Sequence, residues 1–137
     1  MKTIDVGCGL AWEGDVNVDV KKPCEVLADC FFLPFKKGSF KKAILHHVIE
    51  HLENPEKALD EILRVADFVE VVVPAGWHPY SHIDKSHKHF FNSEWFKQYA
   101  EERGLRVRGI QRFDGKRSFY YFGVELCVWL LNGEHNE

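Results

Sequence analysis

Short apolar strands alternate with amphipathic helices along this chain, and that alternation limits its fold more than any other feature. Strands are predicted at residues 3–6, 16–20, 25–28, 42–46 and 68–73, and helices at Pro55–Val65 and Ser93–Arg103. An alternating segment at 105–110, an Asp114-Gly115 turn and an aromatic strand at 118–131 follow. This order predicts an α/β fold whose sheet is mostly parallel, with an antiparallel hairpin at the C-terminal end.

Length and charge limit the possible functions. The 137 residues fit one domain, 1–137, and the formal charge of −3 argues against a general polyanion binder. The longest apolar run, residues 126–131, is too short to span a membrane, and the first residues lack the apolar region of a signal peptide. Four cysteines without paired spacing indicate thiols rather than disulfides. A soluble, cytoplasmic protein is expected.

A glycine-rich turn follows the first strand, at Gly7-Cys8-Gly9. In α/β sheets ligands bind at the carboxyl ends of the strands, so this turn is a candidate ligand site, although a simple tight turn would also use glycine. Trp12 stands where a dinucleotide fingerprint needs its third glycine, and only nine residues separate Val6 from Val16. A helix that could hold a diphosphate hardly fits there, whereas a nucleoside without phosphate remains compatible.

Two aspartates end the next two strands. Asp19 can accept hydrogen bonds from two ribose hydroxyls, and Asp29 can accept one from an exocyclic amine such as adenine N6. Each could equally be a solvated loop residue. Their placement after consecutive strands favours the ligand interpretation.

Six short segments follow one another in a recognisable order: Ile4-Asp5-Val6-Gly7-Cys8-Gly9, Asn17-Val18-Asp19, Ala28-Asp29, Leu33-Pro34-Phe35, Gly38-Ser39-Phe40 and His47-Val48-Ile49-Glu50-His51-Leu52. In this order they resemble the class I S-adenosylmethionine-dependent methyltransferases, and within them the small methyltransferase type 11 group. Residues 84–90 and 93–94 also resemble the segment that follows the fifth strand in that group. The resemblance extends from about Ile4 to Leu105.

The resemblance implies a seven-stranded sheet with its last strand antiparallel and S-adenosylmethionine as cofactor. It places the methionine part of the cofactor beside the first turn, the ribose at the second strand and the adenine at the third, through Asp5, Gly7, Cys8, Gly9, Asp19, Val20, Asp29 and Cys30. His46 would lie near the sulfonium or the acceptor. The chain departs from the family because its first crossover helix is shortened or absent and no helices precede the first strand.

Histidines form the remaining candidate group. His46, His82 and His87 are the candidate catalytic residues, because histidine can accept a proton near neutral pH. Such a base is needed only where the methyl acceptor carries a proton. Residues 76–91 are the candidate acceptor-binding loop. The spacing His82-x-Asp84-x-x-His87 matches no established metal motif, so no metal is predicted. Glu50 and His51 are assigned a structural role at the start of the following helix.

The predicted function is methyl transfer by in-line displacement to an unidentified acceptor, most simply a small molecule. The alternative is a non-catalytic S-adenosylmethionine-binding scaffold or regulatory subunit. The aromatic strand around Phe119–Phe122 predicts core packing first and a homodimer second. Basic residues around the hairpin are typical of a solvated face, and nucleic-acid contact is the less favoured explanation.

Overall fold

One seven-stranded sheet organises the protein in a computed structural model that describes residues 2–74, 87–114 and 124–132. In chain order the strands are β1 (Lys2–Val6), β2 (Val16–Asp19), β3 (Val26–Leu27), β4 (Phe40–His46), β5 (Ala66–Pro74), β6 (Arg106–Asp114) and β7 (Val124–Leu131). A 3-10 helix at Ile49–His51 precedes α1 (Pro55–Val65), and α2 (Ser93–Arg103) precedes β6.

The strand order is β3-β2-β1-β4-β5-β7-β6, with β7 antiparallel to both of its neighbours. The remaining neighbours pair in parallel. The predicted fold class is therefore confirmed, and the two last strands pair as expected. Their placement adds a detail, because β7 inserts between β5 and β6 instead of extending the edge. The order reverses between β1 and β4, so their carboxyl ends flank the switch point.

The connection from β1 to β2 contains no helix in this fully described stretch, as the sequence predicted. The buried side chain of Asn17 holds this connection in place without a helix. It accepts a hydrogen bond from the Gly14 amide (2.9 Å) and donates one to the Gly14 carbonyl (3.0 Å). A Cβ at Gly14 would lie 2.7 Å from the Asp5 amide nitrogen. Glycine thus lets the loop fold tightly against β1 without a covering helix.

The two helices begin and end where their capping residues dictate. Asn54 caps α1 by accepting a hydrogen bond from the Lys57 amide at 3.1 Å. Asn92, not Ser93, caps α2, because the Asn92 carboxamide accepts from the Trp95 amide at 2.9 Å. The expectation of Ser93 as the cap was therefore wrong by one residue. Gly104 ends α2 in the left-handed conformation (φ 65°), as predicted.

The two faces of the sheet differ in chemistry. One cross-strand row, Ile4, Ala43, Val69 and Leu130, is buried in the main apolar core beside α1 and α2. The next row, on the opposite face, runs through Asp5, Ile44, Glu70 and Trp129. Because side chains alternate between faces, the second face presents polar groups towards the strand ends.

The two helices are joined by a polar contact across their surfaces. The Tyr99 hydroxyl donates to Asp60 at 2.6 Å, and the Arg103 guanidinium donates to the same carboxylate at 2.6 Å. Arg103 also stacks 4.1 Å from the Tyr99 ring centroid. No helix in the described part of the chain is long and apolar enough to cross a membrane.

Candidate functional site

The glycine turn after β1 is held in a conformation that favours glycine. Gly7 and Gly9 have φ values of 73° and 52°, and the amides of Gly7 and Cys8 both donate to the Val18 carbonyl, at 2.8 and 3.0 Å. A Cβ on Gly7 would lie 2.5 Å from Cγ2 of Val48, whereas a Cβ on Gly9 would meet nothing within 4 Å. The turn is packed on its Gly7 side and open on its Gly9 side.

Asp19 ties the ends of β1 and β2 together. Its Oδ2 accepts from the Gly9 amide at 2.8 Å, and its Oδ1 accepts from the Val20 amide at 2.7 Å. A carboxylate has about four acceptor positions, so these two bonds leave others for further donors. The sequence predicted the aspartate at the strand end but not its bonds to the glycine turn.

Asp5 anchors the same loop from beneath. Its side chain is only 3% exposed, and its Oδ2 accepts from the Glu13 amide at 2.9 Å. Burial raises the pKa of this carboxyl, while the Glu13 amide partly opposes the rise. Trp12, at φ 46°, donates from its indole to the Gly9 carbonyl at 3.1 Å. The loop that replaces a helix is therefore fixed at both ends.

The two cysteines among the predicted cofactor residues are poor nucleophiles. Burial raises the pKa of the Cys8 thiol to about 11, with the Asp5 and Asp19 charges adding to the rise. Burial, followed by Asp29, likewise raises the pKa of Cys30 to about 11. Both thiols are protonated at neutral pH, so neither is suited to covalent chemistry there.

Asp29 lies in a turn after β3. Its Oδ1 accepts from the Phe31 amide at 2.9 Å, and its carbonyl accepts from the Phe32 amide at 3.0 Å. Its side chain is exposed. The structure therefore joins the glycine turn to Asp19 through a direct hydrogen bond, while Asp29 belongs to a separate turn.

Large apolar side chains lie exposed in the turns after the first three strands. Leu10 is 84% exposed, Val20 66% and Phe32 69%. Leu10 directly follows Gly9, Val20 is itself a predicted cofactor residue, and Phe32 lies two residues after Cys30. Exposed apolar groups beside polar acceptors are typical of a ligand site, because the ligand covers them when it binds.

His46, at the end of β4, is held between two carboxylates. Its Nε2 lies 2.6 Å from Oε2 of Glu70, and its Nδ1 lies 3.5 Å from Oε1 of Glu13. The other Glu70 oxygen, Oε1, accepts from the Trp129 indole at 3.2 Å and lies 3.7 Å from Lys42 Nζ. The hydrogen bond from His46, helped by Lys42, lowers the pKa of Glu70 to about 2. Sequence reasoning missed both partners, although Glu70 interrupts an otherwise apolar strand.

Replacing Glu70 by glutamine is expected to remove an acid-sensitive part of the stability. Since the folded-state pKa is depressed, the charged carboxylate stabilises the fold above about pH 4.5 and loses this effect as pH falls towards 2. We expect Glu70→Gln to lower the free energy of unfolding by about 2 kcal/mol at pH 6. Urea unfolding of both proteins from pH 6 to 2 measures this, and the difference should shrink below pH 4.5.

The matched control is Glu94→Gln, because Glu94 is 80% exposed and its partner Lys97 lies 3.6 Å away on the surface of α2. That change should leave the free energy of unfolding almost unaltered. A difference between wild type and Glu70→Gln that stays constant across this pH range would contradict the role assigned to the Glu70 carboxylate.

The other predicted histidines divide between described and undescribed segments. His87 packs against His51, with ring centroids 4.8 Å apart, and the Glu50 side chain is buried. His47, next to His46, has a left-handed backbone (φ 56°) that turns the chain away from the sheet. His82, most of the 76–91 loop, the Asp114-Gly115 turn and Phe119–Phe122 lie wholly or partly outside the described residues.

A cavity of about 480 Å³ lies at the opposite ends of the strands from the glycine turn. Lys37, Arg64, Asp67 and Arg103 contribute to its lining, near the amino ends of β4 and β5. The residues predicted for the cofactor take no part in it. The chemistry concentrated at the carboxyl ends of the strands, not this cavity, identifies the candidate site.

Comparison with known proteins shows a similarity to methyltransferases. Residues 11–67 match the family model described as a methyltransferase domain. A search of curated proteins found no match.

Solved structures extend the similarity over nearly the whole chain. An S-adenosylmethionine-dependent methyltransferase from Thermotoga maritima superposes with a TM-score of 0.74 at 16% identity, covering 95% of this chain and 81% of its own. One from Aquifex aeolicus gives 0.60 at 18% identity, covering 93% and 80%. A Haloferax volcanii methyltransferase in complex with the Trm112 activator gives 0.70 at 13% identity, covering 98% and 83%.

Proposed function

We propose that the chain binds S-adenosylmethionine across the ends of β1, β2 and β3 and transfers its methyl group to a small acceptor. The match of residues 11–67 to the methyltransferase domain model and the fold shared with solved S-adenosylmethionine-dependent methyltransferases support this proposal. The observation that carries the proposal is the Asp19 carboxylate, which bridges the Gly9 and Val20 amides and keeps acceptor positions available.

The open side of the glycine turn supports a place for the methionine part of the cofactor. Gly7, Cys8 and Gly9 present backbone there, and a Cβ at Gly9 would meet nothing within 4 Å. Asp5 acts from beneath by holding the Glu13 amide. Glycine at these positions allows a ligand to approach the backbone closely.

The ribose and the adenine of the cofactor are proposed to lie at the carboxyl ends of β2 and β3. Two hydroxyls donating to Asp19 would form charge-assisted hydrogen bonds, with Val20 beside the sugar. Asp29 and the backbone at Cys30 are proposed to face the adenine, and Phe32 offers an exposed aromatic surface next to them. This part of the proposal needs no phosphate-binding helix, which agrees with the short β1–β2 connection.

When bound, S-adenosylmethionine supplies an already activated methyl group, and the chain contributes alignment and proton removal. His46 is proposed as the proton acceptor for the attacking atom. Its Nε2 is engaged by Glu70, which fixes the ring, while the contact of Nδ1 with Glu13 is long enough for an acceptor to replace. His82 and His87 remain the second candidates. With a net charge of −3, an acceptor that is not polyanionic is favoured.

Methyl transfer is tested by incubating the full chain with cofactor labelled in its methyl group and fractionated small-molecule extract. We expect label in one acceptor fraction, and His46→Ala should slow the transfer by about 100-fold with little change in cofactor affinity. Glu102→Gln is the control and should transfer as wild type, because Glu102 is 56% exposed at the end of α2, outside the candidate acceptor-binding loop. Cofactor binding without transfer to any fraction would favour the non-catalytic alternative.

A further inference from the structure

Glu50 is a buried carboxylate without a conventional partner. Its side chain is 1% exposed, and neither of its oxygens accepts a hydrogen bond from any residue that the structure describes. Burying a carboxylate in this way costs free energy unless a positive charge compensates for it. Its burial therefore points to a cation close to its oxygens.

Imidazoles surround this carboxylate. His47 Nδ1 lies 3.4 Å and His51 Nε2 lies 3.8 Å from Oε2 of Glu50. The His87 ring packs edge-on against that of His51, at 4.8 Å between centroids and 68° between planes. One ligand atom each from Glu50, His51 and His87 lies within 4.8 Å of the others.

Backbone bonds hold these side chains together. The Glu50 carbonyl accepts from the Lys88 amide at 2.7 Å and from the His89 amide at 3.2 Å. Phe91, 1% exposed, then anchors the segment among the aromatic rings of α2. His87 is thus tied beside the 3-10 helix before any ligand is considered, which reduces the entropy lost on binding.

We propose that Glu50, His51 and His87 bind a divalent first-row transition-metal ion, with Zn²⁺ as the representative. Two imidazoles and one carboxylate suit such ions, whereas Mg²⁺ and Ca²⁺ prefer oxygen ligands alone. Donor atoms around a tetrahedral Zn²⁺ lie about 3.4 Å apart, so the ligand atoms need to approach one another by up to about 1.4 Å. His47 is a positioning residue that approaches the carboxylate. A fourth coordination position is available to water or another ligand.

The proposed metal site differs from the spacing His82-x-Asp84-x-x-His87 considered in the sequence, and only His87 belongs to both. Its ligands come from the 3-10 helix after β4 and from the segment before α2, which lie far apart in the chain. Val48 packs on Gly7, so the cluster also lies beside the glycine turn. The proposal needs no bound cofactor, and its test uses metal alone.

The test uses the full chain, purified without a histidine tag and treated with a chelator before titration with Zn²⁺ and Co²⁺. We expect one ion per chain, and about 100-fold weaker binding in each of Glu50→Gln, His51→Ala and His87→Ala. His89→Ala is the matched control and should bind as wild type, because His89 lies two residues from His87 but bonds the Glu53 carbonyl.

A second measurement uses only the wild-type protein, so it remains informative if the variants fail to fold. In wild-type protein, Co²⁺ should broaden the imidazole NMR signals of His51 and His87 more than those of His46 and His89. The proposal is overturned by absence of stoichiometric binding, by wild-type affinity in His51→Ala and His87→Ala, or by broadening centred on other histidines. Binding that fails here while S-adenosylmethionine still binds would leave the proposed function intact.

Discussion

Replacing Asp19 by alanine is expected to weaken the binding of S-adenosylhomocysteine by about 1,000-fold. The change removes two charge-assisted acceptors for the ribose, each contributing on the order of 2 kcal/mol. It also releases the Gly9 and Val20 amides that the carboxylate holds at 2.8 and 2.7 Å. Isothermal titration calorimetry of the two proteins measures the loss directly.

Asp15→Ala is the matched control for this experiment. Asp15 lies in the same connection and accepts one backbone hydrogen bond, from the Thr3 amide at 2.9 Å, but it precedes β2 instead of following it. Its loss should leave the affinity within about twofold, since it lies at the other end of the strand. Equal affinities in wild type and Asp19→Ala would remove Asp19 from the site.

Alanine at Gly7 is expected to lower the free energy of unfolding by about 3 kcal/mol and to abolish detectable cofactor binding. Two costs add, because the left-handed backbone (φ 73°) disfavours a side chain and the new Cβ would lie 2.5 Å from Cγ2 of Val48. Either the turn or the 3-10 helix beside it must move. Urea unfolding followed by calorimetry tests both effects.

Gly38→Ala separates the two costs. Gly38 has a similar backbone angle, φ 68°, but a Cβ there would meet nothing within 4 Å. It should therefore lose only about 1 kcal/mol and keep full cofactor affinity. If both variants lose the same stability, close packing of Val48 on Gly7 is not what restricts the turn.

Local chemistry made the helices and most strands predictable. Both helices have the expected bounds, because proline, asparagine and glycine at their ends act within one turn of the chain. The wrong prediction of Ser93 as the cap of α2 also comes from this local chemistry. Asn92 and Ser93 can both cap a helix, and the choice depends on which side chain reaches the Trp95 amide.

Contacts between distant segments were not predictable in the same way. The sequence placed β6 and β7 as a terminal pair, but insertion of β7 beside β5 depends on matching apolar rows such as Val69 with Leu130. Glu70 meets His46 only because adjacent strands align in register, and Glu50 meets His87 only after α2 has packed. The spacing of residues along the chain does not show which distant side chains will come into contact.

The resemblance gave a more specific prediction of the candidate site than periodicity alone. Strand ends indicated Gly7, Asp19 and Asp29 as positions worth testing, while the family pattern assigned them to parts of one cofactor. The structure adds the hydrogen bond from the Gly9 amide that joins the glycine turn to Asp19, and it leaves Asp29 in its own turn. Their roles in binding are therefore open to direct test.

A crystal structure of the chain grown with S-adenosylhomocysteine tests the central claim most directly. The account predicts the ribose hydroxyls within hydrogen-bond distance of Asp19, the amino-acid part over Gly7–Gly9 and the adenine beside Asp29 and Cys30. A ligand bound elsewhere, such as in the cavity beside Arg64 and Arg103, would contradict it, as would crystals that exclude the ligand at saturating concentration.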